Sequence, residues 1–141
     1  MTGEMDSMDA QSLDRTRTIL VVDDNALMRK LLVRCLEEGG HRVVETDDPR
    51  GVLDLMRALK PDLVIMDVVM PGLSGVELVR MIRADRALAR TLVVAVTNLS
   101  TPTDMLRFSN AGFDAHVPKP IQPRDFLATV NGYLDGEGER L

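Results

Sequence analysis

A single cysteine, Cys35, stands in this chain of 141 residues. That excludes an internal disulfide framework and any zinc site built on several cysteines. Long apolar runs are missing too, and none approaches the roughly 20 residues that a membrane-spanning helix needs. There is no basic excess: 17 Lys and Arg against 22 Asp and Glu leave a formal net charge of -5. The chain therefore has no bulk cationic character with which to hold a nucleic-acid backbone. Residues 1–17 are polar, carry Asp6, Asp9 and Asp14, contain no apolar signal-peptide segment, and read as a disordered leader. Together these absences predict a reduced, cytoplasmic setting with neither membrane nor nucleic acid as a direct partner. Internal repeats and low-complexity blocks are absent as well, and no stretch is left over for a second domain.

What is present suits one globular core: 45% of residues are apolar and 28% charged, ordinary proportions for a soluble domain of this length. Apolar runs alternate with amphipathic stretches. Strands are predicted at 18–22, 41–45, 63–66, 92–96 and 115–117. Between them fall helical stripes with apolar residues three and four apart. The first covers 25–38 with Met28, Leu31, Leu32, Cys35 and Leu36 on one face, so Cys35 reads as a small core residue rather than a reactive thiol. Gly39-Gly40 ends it. Asp48 and Pro49 open a second helix, as cap and first residue, whose buried stripe is Val52, Leu55, Met56 and Leu59. Ser74 caps a third helix carrying Val76, Val79 and Ile82, with Glu77 completing a capping box. A fourth, near 103–110, has a poor apolar stripe of Met105, Leu106 and Phe108, as a loosely anchored helix would. The fifth runs from 123 to 134 with Phe126, Leu127, Val130 and Leu134 inward, and 135–141 is a polar tail. Five strands alternating with five helices predict an α/β fold with a doubly wound parallel sheet, and near-continuous apolar strands agree with burial on both faces.

Right-handed crossovers place every strand-to-helix loop on one edge of such a sheet. Asp23 and Asp24 end the first strand, Asp67 the third and Thr97 the fourth, while Lys119 follows the fifth. Three carboxylates, a hydroxyl and an ammonium then share the crevice where open α/β sheets place ligands. Hard oxygen donors in small number suit Mg²⁺, which keeps several waters and often shares a phosphate. Lys119 supplies the charge to draw in a phosphoryl group. Its flanking prolines, Pro118 and Pro120, constrain the backbone, and Lys119-Pro120 is a candidate cis bond. Asp67, central in the edge and followed by the Pro71-Gly72 turn, is the best placed nucleophile.

This set, with Asp67 inside Asp67-Val68-Val69-Met70-Pro71-Gly72-Leu73-Ser74-Gly75, resembles the receiver domain of bacterial two-component response regulators across residues 18–134. The resemblance implies a flavodoxin-like fold and Mg²⁺-dependent transfer of phosphate from a histidine kinase or phosphotransfer protein to one aspartate. On that basis Asp67 is the expected phosphoacceptor. Asp24, Asp67 and the Val69 backbone carbonyl are expected as direct Mg²⁺ ligands, with Asp23 acting largely through metal-bound water. Thr97 is the expected switch hydroxyl, Lys119 the lysine that pairs with the phosphoryl group, and His116 the switch partner on the fifth strand. Signalling is expected through the face made by the fourth helix, fifth strand and fifth helix. The resting protein is expected as a monomer, with a weak dimer on phosphorylation. With only a short tail after the last helix, output is expected through protein contact, as in single-domain regulators.

The chain departs from the family's habit in three respects. His116 stands where Tyr or Phe is commoner, either filling the slot by size or making the coupling pH-sensitive. Asn98 stands where a small residue is usual, and would crowd the phosphoryl site or narrow access to it. Val69 and Leu99 flank the phosphate and, being apolar, cannot orient an attacking water, which predicts slow self-hydrolysis and no enzymatic activity beyond phosphotransfer to itself. Two other classes compete. A haloacid-dehalogenase-type phosphatase also forms an aspartyl phosphate, but it usually has a second aspartate where Val69 stands. A phosphate-independent pseudo-receiver would bind partners without using the acidic set.

Overall fold

The computed structural model describes residues 16–141; the expected leader, apart from its last two residues, lies outside them. Five strands are present: β1 (Thr18–Val22), β2 (Arg42–Thr46), β3 (Leu63–Met66), β4 (Leu92–Thr97) and β5 (Ala115–Pro118). They form one parallel sheet in the order β2-β1-β3-β4-β5. The helices are α1 (Ala26–Glu38), α2 (Val52–Leu59), α3 (Gly75–Ala84), α4 (Pro102–Ala111) and α5 (Pro123–Leu134). No helix of the described residues is long and apolar enough to cross a membrane.

Strand alternation divides the core into two layers. Leu20, Val22, Val64, Met66, Val93 and Ala95 face α2, α3 and α4, where Met56, Leu78, Ile82 and Phe108 are fully buried. Ile19, Val21, Leu63, Ile65, Val94 and Val96 face α1 and α5, meeting Leu32, Leu36, Phe126 and Val130. Each central strand is thus apolar along its buried run, 19–22, 63–66 and 93–96, because both of its sides are covered.

The helix starts follow local chemistry, with three differences from the sequence reading. Asn25 caps α1 by accepting from the Met28 N–H at 2.9 Å. Asp48 does cap, but the three residues Pro49–Gly51 form a 3-10 turn and α2 begins only at Val52. At α3, Ser74 accepts from the Glu77 N–H at 3.2 Å, while the Glu77 carboxylate takes the Ser74 hydroxyl rather than the cap's backbone N–H. The reciprocal capping box occurs at α4 instead. Thr101 Oγ1 accepts from the Asp104 N–H at 3.1 Å, and Asp104 Oδ2 accepts from the Thr101 N–H at 3.1 Å. That box, with Pro102 at the first helical position, starts α4 without help from a broad apolar stripe. Leu31, read as an inward residue, is 36% exposed, and Val33 packs against the core in addition to the predicted stripe.

Candidate functional site

The register brings the chosen side chains together. Val22 pairs with Met66, and Met66 with Ala95, so Asp23 and Asp67 follow neighbouring strand ends side by side, and Thr97 closes β4 two residues beyond Ala95. Asp23, Asp24 and Asp67 each offer a carboxylate oxygen within 4.8 Å of the others. Lys119 Nζ donates to Asp67 Oδ2 at 3.2 Å and stands 3.9 Å from Asp23 Oδ2. Both Lys119 and Asp67 side chains are largely screened from solvent. The Lys119-Pro120 bond is cis, as the sequence suggested.

Asp23 is fully buried, and its Oδ2 has no hydrogen-bond partner. Burial raises its pKa above the ordinary aspartate value; the Asn25 N–H and Lys119 oppose this, and neighbouring Asp67 and Asp24 add to it. With three carboxylates gathered here, a buried oxygen that makes no hydrogen bond and has only one ammonium, 3.9 Å away, is costly without a further cation. The hard-oxygen donor set, with one ligand atom of each carboxylate within 4.8 Å of the others, fits a small divalent ion such as Mg²⁺. Asp67 Oδ1 accepts from the Val69 N–H at 3.2 Å, which tightens the loop after β3 and leaves the Val69 side chain 62% exposed.

Thr97 is buried at the end of β4, and its Oγ1 accepts from the Leu99 N–H at 3.2 Å. The Lys119 N–H donates to the Thr97 carbonyl at 3.1 Å, so hydroxyl and ammonium are carried by backbones tied together. Asn98 is exposed and lines an open groove of about 510 Å³ with Leu27, Met28, Leu31, Lys119 and Pro120. It borders the entrance to the site.

His116 pairs in register with Ala95, on the face that carries α4. Its ring lies 6.1 Å from that of Phe108, and its buried Nε2 lacks a partner. Burial lowers its pKa below the ordinary imidazole value, against the Leu99 backbone and the Asp104 charge, which favour the cation. The unfolded chain therefore takes up this proton first, near pH 6.5, and the fold loses stability as pH falls through that value. His116→Phe is expected to flatten this loss between roughly pH 7 and pH 5, read from urea unfolding midpoints. An unchanged slope would show that His116 does not carry it.

A doubly wound parallel sheet with an acidic pocket and a lysine at its carboxyl edge defines a flavodoxin-like domain with its candidate site at the strand ends. The chain belongs to the response regulator receiver domain family, whose model spans residues 19–131. It is 34% identical over 119 residues to the polar-differentiation response regulator DivK of Brucella ovis, covering 84% of this chain and 97% of that protein. Among solved structures, the chemotaxis protein CheY4 of Vibrio cholerae superimposes with a TM-score of 0.78 at 26% identity, covering 82% of this chain and 96% of that one. The receiver domain of a signal transduction histidine kinase from Syntrophus aciditrophicus gives a TM-score of 0.78 at 30% identity, with coverages of 86% and 92%. The chain is thus a phosphoacceptor signalling module of two-component systems.

The sequence reading missed Arg29. Its guanidinium reaches the Asp23 carbonyl, a contact that periodicity cannot announce because it depends on the turn between β1 and α1.

Proposed function

We propose that this chain is a single-domain response regulator that accepts a phosphoryl group on Asp67 from a histidine kinase or phosphotransfer protein, in the cytoplasm, with Mg²⁺ held by Asp23, Asp24, Asp67 and the Val69 carbonyl. The observation that carries this reading is the convergence of three carboxylates, one with a free buried oxygen, on a lysine 3.2 Å from Asp67. A carboxylate oxygen of Asp67 attacks phosphorus as the donor's P–N bond breaks, which gives an acyl phosphate and returns the electron pair to the imidazole. Mg²⁺, when bound, offsets charge on the transferring phosphoryl oxygens. Lys119 stays within reach of the product and exchanges its carboxylate partner for a phosphoryl oxygen. Thr97 Oγ1, now an acceptor from Leu99, also has a hydrogen to donate to that oxygen.

Phosphorylation adds nearly two negative charges at the edge. Movement of Thr97 toward them opens space beside His116, and the face formed by α4, β5 and α5 is the surface that then presents a different contact to a downstream protein. The functional unit is residues 18–134, a monomer at rest with a weak phosphorylation-dependent dimer. The exposed, apolar Val69 and the partly buried Leu99 hold no water for attack. The phosphorylated state is therefore expected to last minutes rather than seconds without a phosphatase, measured by loss of radiolabel. Decay within seconds overturns this.

Beryllofluoride, a mimic of the acyl phosphate, tests the reading. With Mg²⁺ it is expected to bind the unmodified protein and not Asp67→Asn, with amide shifts at Thr97 and His116 as the readout. No binding to the unmodified protein would favour a phosphate-independent binding module.

A further inference from the structure

Asp23 is hydrogen-bonded at three atoms, while its Oδ2 makes no hydrogen bond and has only the Lys119 ammonium near it, at 3.9 Å. Its N–H donates to the Thr46 carbonyl at 3.2 Å, and its Oδ1 accepts from the Asn25 N–H at 2.9 Å. Its carbonyl oxygen lies beyond the end of the β1 ladder, where no strand partner meets it. There it accepts from Arg29 Nη1 at 2.9 Å. Of these three bonds, only the last comes from a side chain. Arg29 is itself held, since its Nε donates to Glu45 Oε1 on β2 at 2.9 Å and its side chain is only 16% exposed.

We propose that Arg29 is a positioning residue for the acidic pocket, clamping the Asp23 peptide so that the free Oδ2 faces the cation, with Glu45 fixing the guanidinium in that pose. This rests on the reading of Asp23, Asp24 and Asp67 as the Mg²⁺ site. The physical reason lies in the turn. Adjacent residues of a regular strand point to opposite faces, so Asp23 and Asp24 converge on one ion only if the peptide between them leaves strand geometry. That peptide's oxygen is the Asp23 carbonyl. A guanidinium presents several donors in a rigid plane and so spans a backbone carbonyl and a carboxylate at once. The contact acts on direction, not charge: Arg29 bonds to the backbone, and Asp23's charged neighbours are Lys119, Asp67 and Asp24.

The test compares the unmodified protein with Arg29→Met, Arg29→Lys, Glu45→Ala and the control Arg34→Met, which removes an exposed charge from the same helix. Mg²⁺ affinity is read by calorimetry, and hydrogen exchange of the Asn25 amide is read in magnesium-free protein. Arg29→Met is expected to weaken Mg²⁺ about tenfold, the scale of lost outer-shell support, and to speed Asn25 exchange, while exchange in the centre of the sheet stays close to that of Arg34→Met. Arg29→Lys is expected to recover part of the affinity, because an ammonium satisfies one acceptor without the fork. Glu45→Ala is expected to lose affinity in the same direction by a smaller factor.

Affinity and Asn25 exchange in Arg29→Met equal to those of Arg34→Met would overturn the proposal. So would an affinity loss accompanied by faster exchange throughout the sheet, since that is a stability effect. If Arg29→Met does not fold, Glu45→Ala decides, and unchanged affinity there overturns the role. Absence of Mg²⁺ binding in the unmodified protein sinks the reading of the site and the role of Arg29 with it. Normal binding that Arg29→Met leaves intact sinks the role alone.

Discussion

Gly75→Ala is expected to destabilise the protein by about 3 kcal/mol, from overpacking and one lost hydrogen bond. The helix α3 starts on top of the loop that follows β3. A Cβ on Gly75 would stand 2.6 Å from the Asp67 carbonyl oxygen and 2.8 Å from the Val68 Cα. Both neighbours are backbone, so no side chain can rotate away, and either the helix or the loop must move. The Gly75 N–H donates to the Val68 carbonyl at 2.8 Å, and that bond lengthens with any such movement. The loop carries the Asp67 carboxylate and the Val69 carbonyl, so Mg²⁺ affinity is expected to fall by about tenfold or more. Urea unfolding and calorimetry measure the two effects. Gly51→Ala is the control: nothing lies within 4 Å of its Cβ, and its φ is -93°, so the change is expected to be nearly neutral. Equal stability of the two variants would refute the close-approach account.

Arg83→Met is expected to cost about 2–4 kcal/mol, more than a surface ion pair and less than a fully buried one. Arg83 Nε donates to the Gly112 carbonyl at 2.9 Å, Nη1 to the Ala89 and Thr91 carbonyls at 2.9 and 2.6 Å, and Nη2 to Asp114 Oδ2 at 2.7 Å. One guanidinium thus closes the amino end of β4 and β5 onto α3, and its removal leaves three carbonyls and a carboxylate short of partners. Asp114 Oδ2 also takes the Val93 N–H at 2.9 Å, and Asp114 Oδ1 lies 3.5 Å from Arg140 Nη1, so the carboxylate keeps part of its support. Arg83→Lys is expected to rescue little, since an ammonium cannot reproduce the planar fork. Arg57→Met, which breaks contacts to the more exposed Asp54 and to Asp85, is expected to cost under about 1 kcal/mol. A loss at Arg83 no larger than at Arg57 would show the clasp to be decorative.

These two positions also mark where sequence reading ended. Strands β1, β3 and β4 were legible because burial on both faces makes them unbroken apolar runs. Asp23, Asp24, Asp67, Thr97 and Lys119 were legible because a parallel sheet lines up strand ends in one place. Gly75 reads in sequence only as part of a turn; its closeness to Asp67 depends on how α3 returns to the sheet. Arg83 sits on what periodicity marks as a polar face, and its acceptors are mostly backbone oxygens, a feature every residue shares. The 3-10 turn at 49–51 was hidden for a similar reason, since Asp48-Pro49 is an equally good start for either helix type. For α4 the poor stripe of Met105, Leu106 and Phe108 carries less information than the Thr101 and Asp104 box, which is faint in sequence because Glu or Gln is the usual partner at that place.

The order of the strands has a consequence for the chain as it is made. Asp23, Asp24 and Asp67 belong to strand ends that leave the ribosome early, whereas Lys119, 3.2 Å from Asp67, follows the last strand of the sheet. Until that segment emerges, a nascent sheet holding β1 and β3 side by side carries three converging negative charges with no ammonium among them. A sheet that lacked this segment would depend on a bound cation alone to offset its acidic pocket. Synthesis of β5 both completes the sheet and delivers the counter-charge.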